Sequence, residues 1–94
     1  MNCASVLFSG HAVRKMFERG LSMDVVKLAI LCGETIVEYP DDRPYPSALV
    51  LGFANGMPVH AVVAKAPGSS QCTVVTAYRP DPALWSDDFK TRRR

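Results

Sequence analysis

Ninety-four residues give room for one domain with one modest core, which at this size buries roughly two-thirds of the surface the unfolded chain exposes. A hydrophobic share of 48% against 21% charged residues is that of an ordinary soluble globular domain, and no apolar run approaches the ~18 residues of a membrane helix. The net charge of +2 is too small by itself to mark a nucleic-acid binder. Its distribution says more: residues 1–33 sum to +2, residues 34–47 to −3 and residues 48–94 to +3, with Lys90, Arg92, Arg93 and Arg94 crowded at the end. The N-terminus lacks the basic-then-apolar layout of a signal peptide, so the expected compartment is cytoplasmic. Cys3, Cys32 and Cys72 are odd in number and widely spaced, which reads as three reduced structural thiols.

In chain order, Met1 to Leu7 is weakly apolar and suits a short strand or an ordered arm. Ser9 is an N-cap for a helix to Glu18 or Arg19 with Gly20 just beyond it, and Val13, Met16 and Phe17 form its expected buried stripe. Ser22 caps a second helix to about Cys32, ended by Gly33, with Val25, Leu28, Ala29 and Cys32 as its apolar face. Glu34 to Tyr39 alternates as a strand, and the three prolines of Pro40 to Pro46 require a loop. Ser47 to Ala66 is the organising stretch: two apolar runs flank Asn55-Gly56, the dipeptide of a type I′ turn, whose two central residues need φ > 0. A two-residue turn pairs Ala54 with Met57, Leu51 with His60 and Leu49 with Val62. Neither run alternates cleanly, so this hairpin belongs at the centre of a sheet. Gln71 to Tyr78 is a third β run, rich in Thr and Val. Asp81-Pro82 then opens a single turn that sets Trp85 against the domain, with the last five or so residues frayed. The expected architecture is one α+β domain over residues 1–94, two N-terminal helices packed on a three- to four-stranded antiparallel sheet, with 79–94 as a tail.

Three sets of residues are candidates for chemistry. His11 and Arg14 share a face at a helix N-terminus, where unpaired N–H groups and the helix dipole favour an anion. The bland alternative is an exposed polar face. His60 is the one ionisable side chain between Ala48 and Ala64, and within an apolar strand it must find partners or lose its charge by desolvation. Thr76, Tyr78 and Arg79 close the third β run, where a phenol and a guanidinium are held by the sheet. Lys15, Lys65, Thr76, Arg92 and Arg93 are candidate RNA contacts. Trp85 and Phe89 read as packing anchors for the tail. Two histidines on separate elements give no metal-ligand spacing, and no cofactor motif is present.

The run Ser9 to Ser22, together with Glu34, Tyr39-Pro40-Asp41-Asp42, Pro44-Tyr45-Pro46-Ser47, Leu51-Gly52, Pro58-Val59-His60 and Thr76-Ala77-Tyr78-Arg79-Pro80, resembles a family of short bacterial proteins defined only as a domain of unknown function. That family is similar to RelE- and MqsR-like toxins of the barnase–EndoU–colicin–RelE fold group. The resemblance implies a metal-independent endoribonuclease, an mRNA interferase of a type II toxin–antitoxin system. Its partners would be messenger RNA and a cognate antitoxin of the YgiT zinc-finger type. It maps catalytic groups to His11 and Arg14, then His60, then Tyr78 and Arg79, with Thr76 beside them. In this scheme the two histidines meet in one pocket and exchange the roles of base and acid. The alternatives are a non-catalytic protein-binding module, or a nucleic-acid binder that leaves RNA intact.

Overall fold

A computed structural model describes Met1–Arg94. Its elements are β1 (Ser5–Phe8), α1 (Gly10–Glu18), α2 (Met23–Cys32), β2 (Glu34–Tyr39), β3 (Ser47–Ala54), β4 (Met57–Lys65) and β5 (Gln71–Tyr78). The five strands form one sheet in the order β1-β5-β4-β3-β2. Every neighbouring pair is antiparallel except β1 with β5, which run parallel. The sheet is therefore mixed and five-stranded, where three or four antiparallel strands were expected. The difference is the N-terminal segment: four residues with little alternation give a weak signal alone, and only the distant β5 recruits them.

The central hairpin folds with the expected register. Ala54 faces Met57, Leu51 faces His60 and Leu49 faces Val62, around Asn55 at φ 54° and Gly56 at φ 78°. Both helices lie on one face of the sheet, α1 on β5 and α2 on β3. Their buried side chains join Val50, Val59, Ala61, Val63, Cys72, Val74 and Ala77 in one core. No helix is long and apolar enough to cross a membrane.

Both helices begin and end where caps dictate. The Ser9 and Ser22 hydroxyls accept from the N–H groups of Ala12 and Val25. Gly20, at φ 68°, closes α1: its N–H donates to the Phe17 carbonyl and the Leu21 N–H reaches back to Met16, the paired bonds of a Schellman motif. The buried stripes differ from expectation. α1 buries Ala12 and Met16, one turn apart, while Phe17 is 85% exposed and Val13 is also exposed. α2 buries Val26, Ala29 and Ile30, leaving Leu28 and Cys32 outside. In each case small alanines face the sheet, which lets the helix approach closely and turns the bulkier neighbours outward.

Two further expectations are corrected. Cys3 and Cys72 form a disulfide across 69 residues of sequence, and only Cys32 is a free thiol. Parallel pairing of β1 along β5 brings the N-terminal arm beside Cys72, a proximity no spacing rule reveals. The C-terminal end is also held, since Trp85 bridges Arg92 and the Arg93 guanidinium bonds the Pro82 carbonyl and Asp87. Asp81 caps a turn by accepting from the Ala83 N–H, and Trp85 follows it into a buried position.

Candidate active site on the sheet face opposite the helices

Side chains alternate along a strand, so β4 sends Val59, Ala61 and Val63 into the helix-covered core and His60 to the opposite face. The register places Tyr78, His60, Leu51 and Glu34 in one row across β5, β4, β3 and β2. The C-terminal segment lies over this row. It starts after Tyr78, sets the Trp85 indole edge-on to the His60 imidazole at 4.4 Å between ring centroids, and reaches Glu34 through an ion pair with Lys90 at 3.0 Å. His60 is completely buried as a result.

Both imidazole nitrogens are engaged. Nε2 lies 2.8 Å from the Phe89 carbonyl oxygen, and Nδ1 lies 3.2 Å from the Tyr78 hydroxyl. A carbonyl can only accept, so Nε2 carries the proton; Nδ1 of the neutral ring then accepts from the Tyr78 O–H. Burial pushes the His60 pKa below its ordinary value, opposed in part by the bond to Phe89. Burial, followed by the Tyr39 phenol, holds the Tyr78 phenol above its ordinary range, while Arg92 and Arg19 pull it down. Arg92 sits over the Trp85 indole at 5.6 Å, and Arg19 donates to the Ala77 carbonyl at 2.9 Å and to the Thr76 hydroxyl at 3.3 Å. The centre is thus a neutral imidazole and a neutral phenol in contact, flanked by guanidinium groups.

A pH dependence follows. With the folded pKa of His60 below the unfolded value of ~6.5, its contribution to stability is complete above pH ~6.5 and is lost as pH falls toward the depressed folded pKa. Stability of the native chain should drop by up to about 1.4 kcal/mol per pH unit more than that of His60→Gln over this interval. Urea unfolding of both proteins between pH 7 and pH 5 measures the difference; parallel curves would mean the imidazole is not held neutral.

The sequence-derived site is divided by the fold. His60 and Tyr78 meet, and Arg92 joins their surroundings through Trp85. Arg79 is exposed immediately after Tyr78, and Thr76 lies on the same strand facing Val62. His11 and Arg14 do not join them: both are exposed on α1, in the layer that covers the other face of the sheet. The two histidines therefore share no pocket, because β4 turns His60 away from the helices. Lys15 pairs with Glu18 at 3.4 Å on α1, and Lys65, at the far end of β4, donates to the Asn2 carbonyl. Arg93 is occupied by Asp87. Sequence reasoning missed Arg19, the Phe89 carbonyl and the role of Trp85 against His60. The first two left no signal; a lone Trp in a polar tail was visible but uninformative about its contact. No group of three or more His, Cys, Asp or Glu side chains converges anywhere in the molecule.

By architecture the protein is a two-layer α+β domain: two helices on one face of a mixed sheet, and on the other a buried histidine paired with a half-buried tyrosine. The chain belongs to the DUF4258 family, a domain of unknown function, whose model matches residues 8–79. That match includes His60 and Tyr78 and ends before the segment that covers them. Neither a curated protein nor a solved structure matches the chain.

Proposed function

We propose that the protein is an endoribonuclease of the toxin–antitoxin kind, cleaving messenger RNA without a metal ion through His60 and Tyr78. One observation carries the reading: the bond between Tyr78 O–H and unprotonated Nδ1 of a neutral His60, which is the arrangement a base needs at neutral pH. In the proposed reaction the 2′-hydroxyl gives its proton to the Tyr78 oxygen as Tyr78 passes its own to Nδ1. The 2′-oxygen then attacks the adjacent phosphorus, and the bond to the 5′-oxygen breaks as the imidazolium returns the proton to it. The products are a 2′,3′-cyclic phosphate and a 5′-hydroxyl. Arg79, which follows Tyr78 directly, stabilises the charge developing on the phosphoryl oxygens. The resemblance to RelE- and MqsR-like proteins supports the same reading.

Purified protein should cleave single-stranded RNA in the presence of EDTA. His60→Gln should lower the rate about 10²–10⁴-fold and Tyr78→Phe about tenfold or more, whereas His11→Ala should stay near the native rate. Intact RNA with both the native protein and Trp85→Ala, which removes the indole lying on His60, or undiminished cleavage by His60→Gln, overturns the proposal.

A second reading, a non-catalytic protein-binding module, is favoured by a different observation. Val13, Phe17 and Met23 are exposed around a groove of about 200 Å³ between the helices, on the side away from His60. It predicts capture of a protein partner, a zinc-finger antitoxin in the resemblance above, with no RNA breakdown.

A further inference from the structure

Four observations converge on the segment that follows β5. It lies along the row Tyr78–His60–Leu51–Glu34 and accounts for the complete burial of His60. It is fastened by few contacts: the Trp85 indole, the Phe89 carbonyl, and beside it the exposed Lys90–Glu34 ion pair. Phe89 has φ 60°, a left-handed conformation uncommon for a side chain of its size, at the residue whose carbonyl meets Nε2. Finally, the segment lies beyond residues 8–79, the stretch matched by the family model.

We infer that residues 81–94 are an autoinhibitory strap, whose Phe89 carbonyl occupies the position at His60 Nε2 that an acceptor oxygen of a ligand takes when the strap lifts. A carbonyl oxygen 2.8 Å from a neutral imidazole N–H stands in for a phosphoryl or hydroxyl oxygen that would accept the same bond. Displacing the strap exposes Nε2, Tyr78 and the aliphatic floor at Leu51 together, because all lie in the row it crosses. The left-handed Phe89 backbone stores strain that lifting relieves. The Lys90–Glu34 pair is the weakest fastening, being exposed and screened by salt. The ligand's identity as RNA rests on the reading above; the movement of the strap does not.

Diethyl pyrocarbonate, which acylates neutral imidazole nitrogens, tests the movement without RNA. The chain has two histidines, and exposed His11 serves as the internal standard. In the native protein His60 should react at least about tenfold more slowly than His11, by mass spectrometry of the two peptides. Lys90→Glu and Glu34→Lys should each speed His60 about threefold, and the exchanged double variant should return it near the native rate. Trp85→Ala should speed it about tenfold or more, with His11 unchanged and circular dichroism reporting an intact fold. His60 reacting as fast as His11 in the native protein overturns the strap, as does a rate unmoved by Lys90→Glu and Trp85→Ala alike. RNA cleavage measured on the same proteins should rise with His60 reactivity. If His60 opens and RNA stays intact, the strap stands and the ribonuclease reading falls.

Discussion

Reducing the Cys3–Cys72 disulfide is expected to lower the unfolding free energy by about 4 kcal/mol, the loop-closure value for a cross-link spanning 69 residues. The mechanism is chain entropy: the bond removes extended conformations from the unfolded ensemble while the folded arm and β5 already lie side by side. For a domain of this size that is a large part of the total, which commonly falls near ~5–15 kcal/mol. With a urea dependence of about 1 kcal/mol/M, the midpoint should fall by about 4 M. Urea titrations of oxidised and reduced protein, with Cys32 alkylated in both, provide the comparison. Coincident midpoints would show that the two sulfurs are unpaired in solution.

Gly52→Ala should be the most damaging single-methyl change in the chain, costing about 3 kcal/mol or more. A Cβ at position 52 would fall onto the backbone of Ala29, including its Cα at 2.7 Å and carbonyl carbon at 2.5 Å. These atoms belong to α2 and cannot turn aside as a flexible side chain would. The helix must lift off β3, loosening Val26, Ala29 and Ile30 together. Gly10 provides the control, since a Cβ there meets nothing within 4 Å. Thermal unfolding of the two alanine variants should separate them clearly, and equal stability would refute the close approach of α2 to β3.

Local chemistry was legible where one residue type has one conformational use. Asn55-Gly56 dictated the turn and hence the register that sets His60 beside Leu51. Ser9, Ser22 and Gly20 marked helix ends because side-chain oxygens and positive φ are what helix ends need. The buried faces were harder. Phe17 and Leu28 are the larger apolar residues, yet closeness to the sheet selected Ala12 and Ala29, a steric choice made by the partner surface. Relations between distant segments left no trace in a single sequence. The pairing of β1 with β5, the bridge between Cys3 and Cys72, and the reach of Lys90 to Glu34 all depend on the assembled sheet. The candidate site was half visible for this reason. His60 and Tyr78 stood out as residues, but their pairing depends on a β4–β5 register that shifts between Val62 and Val63, and His11 required knowing which face the helices cover.

The cross-link between residues 3 and 72 makes the polypeptide a macrocycle with a long free arm. His60 sits within the cyclised portion and Tyr78 is fixed beside it at the end of β5, while Trp85 and Phe89 hang on the arm where it has left the sheet. Motion of that arm can change what the imidazole meets without disturbing any closed part of the chain. The histidine is anchored covalently, and its company is exchangeable.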